Sequence, residues 1–388
     1  MTNMERVQKG GFLLLGFLLG SVGPLWDSLF NGLLIALTFL AFLGSRSARE
    51  GWKAGKVYIG ANVAFLLYFA LHTAVVVGRG RVEGNPTYSL FEALLLGFVL
   101  IPVYVSALRE WMTPRLLRAF LAVFCAGNVC LQCYVCYDMI GFWFLTDLKS
   151  ALKVLIFTRF GDNREVLGSV YLIEMRAMGM AVAALFAYFL AFRAGRWWKR
   201  MVFGGMFLLS LAFLVFTVTK SALLGFAMGF ALLNVYLFRL SHWRTRVGMV
   251  VLVAVLVAGS AVSVKRVEKF GQRVEEVKQD LRNVREGNYD GRTIGPRIAI
   301  FKAIFDHVDE FALWGEGVYS KERIHKWFAE AEDEITVYFS SQNAFLQYWI
   351  QGGLFGLALV VYLFVAPVAR NWRRSGFPWL VVSVTAVF

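Results

Sequence analysis

The sequence predicts an all-α polytopic membrane protein, with about 11–12 transmembrane helices and one large structured loop between the ninth and tenth. Three observations lead there. Of the 388 residues, 58% are hydrophobic and only 17% charged, against roughly 45–50% and about 25% in soluble domains. Apolar segments recur that reach the roughly 20 residues a helix needs to cross a ~30 Å hydrocarbon core. Lys and Arg gather in alternate connections between those segments, the asymmetry that orients multi-pass proteins.

The apolar segments lie at 10–26, 28–44, 57–78, 89–108, 116–138, 169–192, 201–219, 221–240, 247–264 and 343–367. The first resembles a signal peptide, with Arg6 and Lys9 before it. It lacks a small-x-small cleavage site and a second apolar segment follows almost at once, so it reads as a first span. The run 201–240 is long enough for two crossings at 1.5 Å per residue, with Thr217, Thr219, Lys220 and Ser221 as a tight turn between them. A further segment begins near Gly376 and stops at Phe388, too short to cross, so the chain reads as a fragment of a longer protein. The expected organisation is a bundle over 1–264, a loop over 265–342 and C-terminal transmembrane helices over 343–388.

One set of connections carries Arg6 and Lys9; Arg46, Arg49, Lys53 and Lys56; Arg109, Arg115 and Arg118; Arg193, Arg196, Lys199 and Arg200; Arg239, Arg244 and Arg246; and Arg370, Arg373 and Arg374. The opposite short connections hold none at 26–28, then Arg79 and Arg81, then Lys220 alone, while the longer one at 139–168 has Lys149, Lys153, Arg159 and Arg164. The N-terminus is therefore expected in the cytoplasm and the 265–342 loop outside the cytoplasmic membrane. The same clustering accounts for the net charge of +14 without a nucleic-acid partner. Cys125, Cys130, Cys133 and Cys136 share one apolar stretch. With no His or charged partner in that stretch they read as small apolar residues of a helix, not as a metal site or disulfide framework.

The loop reads as structured. Val267, Phe270, Val274, Val277, Leu281 and Val284 alternate steps of three and four, and Lys265, Arg266, Lys269, Arg273 and Lys278 accompany them; this is an amphipathic helix suited to lipid headgroups. A turn follows at Asn288-Tyr289-Asp290-Gly291. A second helix starts at Pro296, a position that tolerates proline, and carries Ile300, Phe301, Ile304 and Phe305 until Trp314-Gly315-Glu316-Gly317 breaks it. A polar, acidic stretch with Glu330, Glu332, Asp333 and Glu334 then leads to Ser340-Ser341-Gln342-Asn343.

Cations make up the strongest constellation. Arg297 lies at a helix start with Arg292 just before it, and Lys220 lies at an outer turn. Arg159 and Arg164 occupy the other long outer connection, and Arg176 falls inside a span, where an ionisable side chain is costly and faces a cavity or a partner. Glu174 is two residues from Arg176, so the two do not share a helix face. The helix starts at Arg297 and at Ser341–Asn343 offer free N–H groups that favour phosphate. Together these suit an anion, a diphosphate included, without a metal. The plainer reading is that outer Arg and Lys anchor helices at headgroups.

Gly295-Pro296-Arg297, then Trp314-Gly315-Glu316-Gly317, then Gln342-Asn343, nine residues and Gly353-Leu354-Phe355-Gly356 resemble the O-antigen ligase and polymerase superfamily. Its signature at the end of a large periplasmic loop is His, then Asn, Ser or Gln, nine residues and Gly-x-x-Gly. The resemblance implies an inner-membrane glycosyltransferase that needs neither metal nor cofactor. It would move a glycan, with inversion, from undecaprenyl diphosphate to a sugar hydroxyl, either of lipid A-core (ligase) or of another repeat unit (polymerase). By that match Arg297 contacts the diphosphate, with Arg292, Lys220, Arg159 and Arg176 as helpers, and Asn343, Gly353 and Gly356 complete the motif.

Two departures stand out. The family's Thr-x-Ser-Arg turn reads Thr219-Lys220-Ser221-Ala222, and Lys220 offers a point charge in place of a bidentate fork. The motif His is Gln342, whose amide does not titrate near neutral pH and cannot act as a general base. An inactivated variant, a divergent member using another group, and a member that has lost transfer all fit. His307, His325, Glu330, Asp333 and His72 are the alternative bases. A lipid or polysaccharide flippase is the competing class, although no inverted repeat joins the two halves as in many transporters.

Overall fold

The computed structural model describes residues 3–21, 27–44, 46–78, 103–105, 112–146, 171–217, 219–240, 243, 246–248, 250, 268–286, 295–317, 321–331 and 343–371. Among these residues the secondary structure is helical, with no strand. In chain order the helices are α1 (Asn3–Ser21), α2 (Asp27–Gly44), α3 (Arg46–Gly78), α4 (Pro114–Thr146), α5 (Tyr171–Arg193), α6 (Trp197–Thr217) and α7 (Lys220–Leu240). The loop contributes α8 (Glu268–Arg285), α9 (Gly295–Asp306), α10 (Val308–Phe311) and α11 (Lys321–Ala331), and α12 (Ala344–Asn371) follows. Within them, Pro114–Val135, Arg176–Arg193, Trp197–Val215, Ser221–Arg239 and Phe345–Leu363 are long and apolar enough to cross a membrane, so the all-α, multi-pass expectation holds. The predicted spans 89–108 and 247–264 fall largely, and the segment from Gly376 wholly, outside the described residues.

Two compact units divide the chain. One comprises Met1–Lys56, Leu100–Arg246 and Val368–Phe388; the other comprises Val57–Val99 and Val247–Pro367.

In the first unit α5 packs against α4, α6 and α7. Its buried face includes Ala177, Ala181, Ala183, Ala184 and Ala187. Lipid tails are as apolar as Leu, so helices in a bilayer associate by close packing, which small residues permit. The same logic governs the α1–α4 crossing. A Cβ on Gly20 would lie 2.2 Å from Phe124 O, and one on Gly127 would lie 2.4 Å from Phe17 O. Asn128 Nδ2 donates to Gly20 O across that contact at 3.2 Å. The tight turn predicted between α6 and α7 is present. Thr217 Oγ1 donates to Leu214 O and accepts from Thr219 N, while Leu223 N donates to Thr219 O. Thr219 is thus the N-cap of α7 and Lys220 its first residue.

In the second unit α9, α10 and α11 pack on the start of α12. Their shared core is Ala299, Ile300, Ala303, Ile304, Phe311, Ile324, Trp327, Phe328, Leu346 and Ile350. α11 lies in a stretch that sequence reasoning reads only as a polar approach to α12; the signal for it is Ile324, Trp327 and Phe328, one stripe at steps of three and one. A second core, Phe65, Phe69, Val360 and Leu363, joins α3 to the far half of α12. On α8 the predicted stripe does not turn wholly inward, since Leu281 is exposed and its neighbour Asp280 is buried. An outward apolar position on a basic amphipathic helix is one a lipid surface would cover.

Candidate functional site: the joint between the loop and α12

α12 begins with a side-chain cap. Asn343 Oδ1 accepts from Leu346 N at 3.1 Å, and Asn343 O accepts from Gln347 N at 2.8 Å. Asparagine suits this because its short carbonyl reaches the amide three residues on, one of the four N–H groups a helix start leaves unbonded. The motif position Asn343 is therefore the N-cap of α12, and Gln342, which lies outside the described residues, directly precedes it.

Ten residues on, the helix breaks. Gly353 sits at φ 59°, ψ −162°, a conformation essentially reserved for glycine. A broken helix frees carbonyls in the preceding turn, and buried carbonyls need donors. Ile350 O accepts from Glu316 N at 2.6 Å and Gln351 O accepts from Gly317 N at 2.9 Å. Gly352 O accepts from the Tyr68 hydroxyl at 2.7 Å. The Gly-x-Gly turn thus docks backbone to backbone against the break. Gly315 and Gly317 adopt φ 75° and 82°, and a Cβ on Gly315 would lie 2.4 Å from Gly353 N. Trp349 Nε1 adds a bond to Ala312 O at 2.9 Å. Gly356 is helical and serves differently, because a Cβ there would press on the Phe69 ring at 3.2 Å. Two glycine motifs that are far apart in sequence are the halves of one joint.

Residues 205–361 match the family model described as O-antigen ligase. Over that stretch the chain is similar to the O-antigen ligase family. The match takes in the α6–α7 turn, the loop and the joint. Ligase- and polymerase-type glycosyltransferases make up this superfamily, and their partners are a lipid-linked glycan and an acceptor. No curated protein matches the chain.

The O-antigen ligase match spans Lys220, Arg292, Arg297, Gln342, Asn343, Gly353 and Gly356, while Arg159 and Arg176 precede it. Arg297, Asn343, Gly353 and Gly356 belong to the second unit, and Lys220 and Arg176 to the first. Arg292 and Arg159 lie outside the described residues. Arg297 is exposed on the third residue of α9, whose Ala299, Ile300, Ala303 and Ile304 are buried. Arg176 is 2% exposed within α5, and its Nη2 donates to Gln132 Oε1 of α4 at 2.9 Å. This is the partner that an arginine inside a span requires.

Of the alternative bases, His307 is the most fully defined. Its Nδ1 lies 2.9 Å from Ala303 O and its Nε2 lies 3.1 Å from Glu330 Oε2. Both neighbours are acceptors, so the ring satisfies both only when doubly protonated. Burial opposes that charge, but the bonds to Ala303 and Glu330 and the nearby Glu310 and Glu330 carboxylates outweigh it, and the imidazole pKa is raised. Stacked on Trp327 at 5.3 Å, with both ring nitrogens facing acceptors, His307 clamps the end of α9 to α11, a poor arrangement for a base. His325 is half-buried on α11, His72 stands 5.7 Å from the Tyr68 ring, and Asp333 is outside the described residues.

Because the folded-state pKa of His307 is raised, its stabilisation is complete below the ordinary imidazole value of about 6.5 and is lost as pH rises through the folded-state value. The melting temperature is expected to fall from about pH 6 to 8, and to fall less steeply in His307→Gln and Glu330→Gln. Equal slopes in all three proteins would exclude the clamp.

Proposed function

We propose that this protein transfers a glycan from undecaprenyl diphosphate to a sugar hydroxyl, that of lipid A-core, at the periplasmic face of the bacterial inner membrane. In this step the acceptor oxygen attacks the anomeric carbon from the face opposite the diphosphate. The glycosidic bond forms, the carbon–oxygen bond to diphosphate breaks with inversion, undecaprenyl diphosphate departs, and the acceptor proton passes to a base or to water. Neither metal nor cofactor enters.

The observation that supports this reading is the joint on α12, whose N-cap Asn343 directly follows Gln342 in the sequence. The helix bearing Arg297 shares a buried core with the start of α12, which includes Ile300, Ile304, Leu346 and Ile350. Arg297 offers a bidentate fork to a phosphoryl group, and the α12 start offers amides to an anion. Gln342 accepts a hydrogen bond from the acceptor hydroxyl and orients it without removing its proton. Asn343, through its cap, and Gly353 and Gly356, through their lack of a Cβ, hold the frame.

The test is transfer by the purified full chain, with a polyprenyl-diphosphate glycan as donor and lipid A-core or a repeat unit as acceptor. Gln342→His is expected to raise the rate by about 10²-fold, the lower range for an added general base. Arg297→Ala is expected to lower that raised rate at least about tenfold, the scale of one lost charge-assisted contact. Transfer only to the repeat unit would make the protein a polymerase. Absence of transfer in every variant, with labelled lipid still crossing the bilayer, would replace the transferase reading with a flippase.

A further inference from the structure

A cavity lies in the first unit, at the opposite end of α6 from the Thr217–Lys220 turn. It measures about 490 Å³, opens to the surface and is bounded by the start of α4, the end of α5 and the start of α6. Its lining has two chemistries. Arg115, Arg118, Arg193 and Lys199 supply four cations, and Ala119, Ala122, Leu190, Val202 and Phe203 supply an apolar wall. No carboxylate lines it among the described residues.

Three of the cations make local contacts with a backbone oxygen or a ring. Arg118 Nε donates to Pro114 O at 3.1 Å. The Arg193 guanidinium lies 5.8 Å from the Phe189 ring centre and Lys199 Nζ lies 5.3 Å from that of Trp198. Helix ends add to the field: α4 and α6 both present N-termini, whose partial charge is positive. α5 ends here with its negative pole, but Arg200 Nε donates to Ala194 O at 2.8 Å and covers it. Beside the cavity, Trp197 is 77% and Trp198 47% exposed. Paired tryptophans at the end of a span mark the depth of the headgroup layer. Orienting a span requires only that Lys and Arg lie on one side, not that four of them face one cavity.

We propose that this cavity is a binding site for an anionic phospholipid. The phosphate would sit among Arg115, Arg118, Arg193 and Lys199, with an acyl chain along Ala122, Leu190 and Val202. By the Lys/Arg asymmetry the lipid belongs to the cytoplasmic leaflet. A soluble anion would use the cations but not the apolar wall, and a zwitterionic lipid would use the wall but bring no net charge. The site is independent of the transferase reading, so its test stands whichever way that reading falls.

The experiment is a lipid-dependent thermal shift of the full chain in detergent, titrated separately with phosphatidylglycerol, phosphatidylcholine and glycerol 3-phosphate. Phosphatidylglycerol is expected to stabilise at concentrations about tenfold or more below phosphatidylcholine, and glycerol 3-phosphate not at all over the same range. R115Q/R118Q/R193Q/K199Q should lose that preference. R46Q/R49Q/K53Q/K56Q, which removes four cations from another connection on the same side, should keep it. Equal loss in both variants, or equal stabilisation by glycerol 3-phosphate, overturns the site in favour of diffuse attraction or simple anion binding. Should the quadruple variant fail to fold, a photoactivatable phosphatidylglycerol decides the matter on the unaltered chain. Labelling concentrated in peptides spanning 115–122 and 190–203 supports the proposal, and labelling no greater there than in 46–56 overturns it.

Discussion

Gly353→Ala is expected to abolish the monodisperse folded protein, or to lower its stability by on the order of 3 kcal/mol or more, the upper end for a residue forced into a glycine-only conformation. Two costs coincide. An alanine would have to adopt φ 59°, ψ −162°, and its Cβ would fall 2.2 Å from Leu313 O and 2.7 Å from the Trp314 carbonyl carbon. These are backbone atoms of the turn that docks on α12, so relieving the clash means undoing the bonds from Glu316 N and Gly317 N. Gly356→Ala is the comparison. In a helical conformation it meets a movable Phe69 ring and the Tyr348 carbonyl oxygen, both at 3.2 Å rather than 2.2 Å, and should cost less. Size-exclusion profiles and melting temperatures of the two variants measure the difference; a Gly353→Ala protein as stable as Gly356→Ala would disprove the joint.

The second large effect is expected at Trp327. The side chain is 1% exposed and packs between His307 and Phe311, with ring centres 5.3 and 5.6 Å away. Trp327→Ala should destabilise the α9–α11 layer by about 3–5 kcal/mol, the usual cost of deleting a buried aromatic. Limited proteolysis reads this directly as new cleavage within 295–331. Trp327→Phe should stay near the parent, because the buried Nε1 has no hydrogen-bond acceptor among the described residues to lose. Cleavage that stays at the parental level in Trp327→Ala would show that the layer does not rest on this residue.

Bilayer thickness imposes a length and polarity that no other pattern imitates, which is why the spans around α4 to α7 and α12 could be read from the chain within a few residues. The α6–α7 turn was legible for the same reason, since only a Thr-Lys-Ser interruption fits the middle of a run long enough for two crossings. α11 was hidden by its polar face, its short apolar stripe outweighed by nearby Lys and Glu. The glycine motifs could be seen, but not their pairing, because hydrogen bonds between backbones carry no side-chain signature. Tyr68 could not be found at all. It reads as one aromatic among many in an apolar span, and its role exists only because Gly352 O is turned toward it. Asn343 was read with the motif, whereas its geometry is that of a cap.

The break at Gly353 has a bearing on transport. Discontinuous helices in secondary transporters leave bare carbonyls at the interruption, and these coordinate the driving sodium ion or proton. Here three successive carbonyls, those of Ile350, Gln351 and Gly352, each face the hydrogen of an amide or a phenol. The positive end of each donor dipole lies against these carbonyls, so the interruption does not leave them bare. An ion held at that break would have to compete with these three donors for the same oxygens.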